Sequence, residues 1–159
     1  MSEIFSNSII TLAFLLLLFI PLYILNRSGV KKNREKLLRR FREFCAEKGL
    51  SPADTILVDN RVIGFDTTKN AVAGLLVGTE AEEQFFIDGG KVSKSEVVKT
   101  LSQSSVTDIK LLYSTKEGQH KQVVFYTRYK DDERKIGRLT EAAETVNSFL
   151  QRNSANPRV

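Results

Sequence analysis

Thr55-Ile56-Leu57-Val58-Asp59-Asn60-Arg61-Val62-Ile63-Gly64-Phe65-Asp66-Thr67-Thr68-Lys69-Asn70-Ala71-Val72-Ala73-Gly74-Leu75-Leu76-Val77 reads as three strands and two turns. Residues 55–58, 62–66 and 71–77 are β-branched or apolar runs of strand length. Between them stand Asp59-Asn60-Arg61 and Thr67-Thr68-Lys69-Asn70, small polar side chains that bond their own backbone and suit tight turns. Connections this short join antiparallel neighbours, because a parallel pair needs a crossover of about a dozen residues.

The same rhythm continues toward the C-terminus. Residues 84–88, 96–101, 108–113 and 122–127 are further strand runs, giving about seven in all. Gly78-Thr79-Glu80, Asp88-Gly89-Gly90 and Lys116-Glu117-Gly118-Gln119 supply turns, and residues 89–94 read as a short excursion before the fifth strand. The period then changes. Ile136, Leu139, Ala143, Val146, Phe149 and Leu150 recur at helical spacing behind Asp131-Asp132-Glu133, acids that favour a helix N-terminus. That helix has one apolar face, suited to covering an open side of a sheet. Residues 153–159 read as a frayed tail.

The expected fold class is therefore α+β, an antiparallel β-sandwich or barrel at residues 53–152 closed by a C-terminal helix. This order of elements resembles the pleckstrin-homology-like fold. Ile63-Gly64-Phe65-Asp66 with its turn, and the strand Asp108-Ile109-Lys110-Leu111-Leu112-Tyr113, look like bacterial membrane-tethered proteins carrying such a domain, chiefly of the Bacteroidetes. The resemblance implies a binding or scaffolding domain and names no site, since fold does not determine function. Eukaryotic relatives often hold phosphoinositides through several basic residues in a roomy first hairpin. Here that hairpin offers only Arg61, beside Asp59, and a multiply phosphorylated headgroup needs several convergent donors.

Upstream, residues 27–49 form a basic stretch with Leu37, Leu38, Phe41, Phe44 and Cys45 at spacings of three and four, and Gly49 as the stop. The stripe predicts a helix that packs on the following domain; a membrane-surface helix or a self-pairing helix are the other readings. Arg27, Lys31, Lys32, Arg34, Lys36, Arg39, Arg40 and Arg42 are candidates for facing anionic headgroups, each attraction adding about 1 kcal/mol near an acidic leaflet. Before them, Ile4 to Asn26 carries no charge, with the unbroken core Leu12-Ala13-Phe14-Leu15-Leu16-Leu17-Leu18-Phe19-Ile20. As a helix it reaches about 35 Å, enough to cross a hydrocarbon layer of about 30 Å. Residues 8–26 are thus expected to span a bilayer, after a short extracytoplasmic segment at residues 1–7. A cleaved secretory signal would want basic residues ahead of the run and a small-x-small site behind it, and a lipoprotein would want a cysteine there; none is present. The basic flank lies entirely behind the span, so the positive-inside rule places the C-terminal domain in the cytoplasm, on the inner membrane of the cell.

Charge and chemistry narrow the function. The 159 residues carry a net charge of +5, of which residues 27–48 hold +6, so the β domain is close to neutral and offers no footprint for nucleic acid. One cysteine forms no intramolecular disulfide and fits a reducing compartment. No catalytic, metal-binding or cofactor motif stands out. The single histidine, His120, falls at an expected hairpin tip, and Asp88-Gly89-Gly90-Lys91 lacks the second half of a phosphate-binding loop. Cys45 sits among Arg39, Arg40, Arg42 and Lys48, a setting that lowers a thiol pKa if exposed; its place on the stripe favours burial. The expected function is a membrane-anchored, non-enzymatic protein-binding or scaffolding module for a protein partner the sequence does not name. The alternative is an accessory subunit held in a larger complex through its transmembrane helix.

Overall fold

The computed structural model describes residues 31–77 and 82–154, together with Phe19. Residues 1–7, the expected span at 8–26 apart from Phe19, Arg27, and the tail from 155 onward lie outside the described residues. Among the described residues no helix is long and apolar enough to cross a membrane.

The chain divides into two compact units between Arg39 and Arg40. Helix α1 is described over residues 31–47. Its end is set by Gly49, whose φ of +63° suits a residue without a Cβ. The Leu50 N–H donates to the Cys45 carbonyl (2.8 Å) and the Gly49 N–H to that of Ala46 (2.9 Å), satisfying carbonyls the helix would leave open.

The second unit holds two antiparallel sheets and a closing helix. The first sheet has the order β1 (Asp54–Val58), β2 (Arg61–Asp66), β3 (Ala71–Val77), β4 (Glu82–Asp88). The second runs β5 (Val92–Ser102), β6 (Ser105–Thr115), β7 (His120–Thr127), and α2 (Ile136–Ser154) follows. Register is fixed by burial: Ile63 lies opposite Gly74 and Phe65 opposite Val72, so one face of each strand points into the core. Ile109, Leu111, Phe125 and Tyr126 meet them from the second sheet, and α2 seals the core with Leu139, Ala143, Val146 and Leu150. The Phe65 and Phe149 rings tilt against each other with centroids 5.3 Å apart.

The central strands of the first sheet, β2 and β3, are buried on both faces. Val62 and Leu75, paired across β2 and β3, are fully buried on the face away from the core. Phe41 of α1 covers that face: a Cβ at Gly64 would lie 2.7 Å from Phe41 Cζ and 2.9 Å from Pro52 Cβ. The apolar stripe at Phe41, Phe44 and Cys45 is buried, as the packing reading expects.

Two local expectations needed revision. The excursion at residues 89–94 is shorter, a 3-10 turn at Gly89–Lys91 held by Asp88 Oδ1, which accepts from the Gly90 N–H at 3.0 Å. β5 then begins at Val92 and passes a bulge before Lys94. The fifth and sixth strands are each 11 residues long and join through Gln103-Ser104, both at positive φ, the backbone of a two-residue hairpin turn.

Candidate functional site

β7 lies at the end of its sheet and pairs with β6 alone among the described strands, so its outer N–H and C=O groups face away from the sheet. The opposite edge differs. At Ser95 of β5, α2 already engages the strand: Ser95 Oγ donates to Asn147 Oδ1 (2.7 Å) and Gln151 Nε2 donates to the Ser95 carbonyl (3.1 Å).

Pairing register builds a groove across β5, β6 and β7. Lys94, Ser114 and His120 form one cross-strand row, and Glu96, Leu112 and Gln122 the next on the same face. With Tyr113 and Lys121 they line an open groove of about 610 Å³. Ser114 Oγ and His120 Nδ1 lie 2.8 Å apart, which fixes the imidazole and leaves Nε2 to other partners. Burial pushes the Tyr113 phenol up, so it stays a neutral donor at physiological pH. A second cavity of about 300 Å³ opens between the two sheets, bounded by Gln122, Val123 and Val124 of β7 and by Leu76, Glu83, Gln84 and Phe85 of β3 and β4. Gln122 borders both spaces.

Other polar groups are committed to the fold. Arg61, the one base of the first hairpin, bonds Asp131 Oδ1 at 2.5 Å with both side chains nearly buried, while Asp131 Oδ2 accepts from the Thr127 N–H (2.8 Å). Lys135 pairs with Asp59 at 2.6 Å. These contacts tie the β1–β2 turn to the segment entering α2. Asp66 is buried; burial alone would raise its pKa, yet N–H donors from Ser51, Lys69 and Thr68 hold the carboxyl below its usual value.

Of the eight residues expected to face a membrane surface, Lys31, Lys32, Arg34, Lys36, Arg39, Arg40 and Arg42 are exposed, and Arg27 lies outside the described residues. Arg40 bonds Glu82 at 2.6 Å and so is partly taken up within the second unit. Cys45 departs from the reactive alternative: burial, and next the Asp66 charge, push its thiol up to about 11. His120 is exposed at the start of β7. Among the described residues no group of His, Cys, Asp and Glu is placed to hold a metal ion. The groove itself was not legible in the sequence, because it depends on the register that sets Lys94, Ser114 and His120 abreast.

Comparison with protein-family models, with curated proteins and with solved structures finds no match to this chain.

Proposed function

We propose that this chain is a single-pass, membrane-anchored, non-enzymatic module that binds or scaffolds another protein at the cytoplasmic face. The observation that carries the reading is the place of β7 at the end of its sheet, where Gln122 borders two cavities. Such an edge offers main-chain hydrogen bonds to an extended segment, and the two cavities offer side-chain selection. The two antiparallel sheets, four strands and three, with a C-terminal helix, support a pleckstrin-homology-like arrangement.

The anchor is residues 8–26, read from a run of 23 uncharged residues followed by a basic flank. Confinement to a membrane raises the effective concentration of a tethered module toward partners on the same surface. The exposed bases of α1 suit non-specific attraction to anionic headgroups, an orienting effect and not the anchor itself.

Photocrosslinking in native membranes tests the reading. A crosslinking residue at Gln122 is expected to capture a protein neighbour, and to do so still when residues 9–25 are replaced by an unrelated spanning helix. Capture that disappears on the helix swap, with the chain still in the membrane, assigns specificity to the helix and makes the protein an accessory subunit instead.

A further inference from the structure

We infer that the end of the second unit carrying Leu101 and Tyr129 rests on an anionic lipid surface, a contact additional to the anchor. This rests on the reading of the chain as membrane-anchored, and adds which end of the unit meets the bilayer and through which side chains.

Leu101 and Tyr129 are the most exposed large apolar or aromatic side chains among the described residues, at 65% and 92%. They stand at one end of the second sheet. The Arg128 N–H donates to the Thr107 carbonyl (2.9 Å), and Thr107 Oγ1 donates to the Thr100 carbonyl (3.1 Å). Leu101 and Tyr129 each follow a member of that row, so strand spacing puts their backbones about 10 Å apart. Leu101 lies at the tip of the β5–β6 hairpin. Tyr129 occupies a turn in which the Lys130 N–H donates to the Thr127 carbonyl (3.0 Å).

The chain enters the unit at this same end. Arg40, where the unit begins, bonds Glu82 at 2.6 Å, and Glu82 pairs with Val77, whose N–H donates to the Asn60 carbonyl (3.0 Å). On either side of Asn60, Asp59 reaches Lys135 (2.6 Å) and Arg61 reaches Asp131 (2.5 Å), both in the segment that joins Tyr129 to α2. Residues 40–51 then run away from this end, since the Ser51 N–H donates to Asp66, at the far end of β2 (2.8 Å). Residues 27–39 alone separate Arg40 from the expected span, about 20 Å as a helix. A tether this short holds the entry end within reach of the bilayer.

The chemistry of that end suits lipid. Thr100 to Thr107 carries no charge, so the hairpin tip enters a headgroup layer without desolvating one. Tyrosine rings favour the headgroup level, and a neighbouring leucine adds apolar contact. The acids that follow Tyr129 are taken up, Asp131 by Arg61, Asp132 by Arg134 (3.1 Å) and Glu133 by Arg128 (3.3 Å). Lys130 is exposed, and among the described residues no carboxylate pairs with it, which leaves a cation for anionic headgroups. Glu83 of β4 opposes that charge from one residue further along the strand than Glu82, and Glu80 lies outside the described residues. The lysine therefore orients the contact, and the apolar side chains hold it.

The chain holds no tryptophan, so Leu101→Trp and Tyr129→Trp each give the full chain one fluorophore at an exposed site. Glu117→Trp, in the exposed turn at the opposite end of the sheet, is the reference. The chains are reconstituted in nanodiscs of phosphatidylcholine and phosphatidylglycerol in equal parts, with acyl chains brominated near the headgroup. Bromine should quench the first two about threefold more strongly than the reference, and Lys130→Glu should lower the quenching of Tyr129→Trp about twofold. Slower amide exchange at residues 102–105 and 129–130 of the unsubstituted chain, in acidic discs against phosphatidylcholine alone, checks the contact without a substitution. Stronger quenching at Glu117→Trp would overturn the orientation, and equal quenching in neutral discs the preference for anionic lipid. Blue-shifted emission without bromine quenching would assign this end to a protein surface and overturn the lipid contact. A chain held in the disc with all three sites unquenched overturns the contact and leaves the anchor standing, whereas a chain that does not enter discs overturns the anchor.

Discussion

A methyl group at Gly74 has nowhere to go, because its place is filled by the ring of Phe85, which in turn tilts against Phe125 at 6.5 Å. Gly74→Ala should therefore displace that ring and destabilise the fold by about 1–3 kcal/mol, read from the unfolding midpoint in urea. Cys45 makes a second residue-level expectation. With its thiol pushed up to about 11 and its side chain buried, it should resist alkylation at pH 8 in the native chain and react at once after unfolding. Asp66 gives a pH dependence whose sign is fixed. Its folded pKa lies below the usual 3.8, so its contribution is complete above about pH 4 and drains away as pH falls through the lowered value. Asp66→Ala should remove that part of the acid sensitivity. At neutral pH it should cost about 2 kcal/mol, since the Ser51 and Lys69 N–H groups lose their acceptor.

Between elements, the Arg61–Asp131 pair joins the β1–β2 turn to the entrance of α2, and Arg61 Nε is buried without a partner of its own. Removing one charge strands the other: Arg61→Ala should cost about 3–5 kcal/mol, whereas the double change Arg61→Met with Asp131→Leu should recover much of it. The seven strand runs and the final helix were legible from the sequence because period and turn chemistry agreed there, as at Asp59-Asn60 and along Leu139, Ala143 and Val146. The β5–β6 hairpin was not. Gln103 and Ser104 take positive φ without the glycine or asparagine that normally announces such a turn, so the two long strands were read as two shorter ones. Burial of Val62 and Leu75 on the outer face was likewise hidden, since nothing in β2 or β3 says that Phe41 of a preceding helix lies over Gly64.

At the scale of the molecule, the proposed function requires a β domain with a free strand edge and a tether that keeps it at one face of a bilayer. The edge rests on strand order, and the tether on residues 8–26 and the basic residues behind them. The tether is the premise that decides where any partner must be sought. Protease protection in sealed vesicles of opposite orientation, followed through a C-terminal epitope, tests it most directly. The expected result is a chain that sediments with membranes, with its β domain intact in right-side-out vesicles and digested in inverted ones. Digestion in right-side-out vesicles, or recovery of the whole chain in the soluble fraction, would contradict the account.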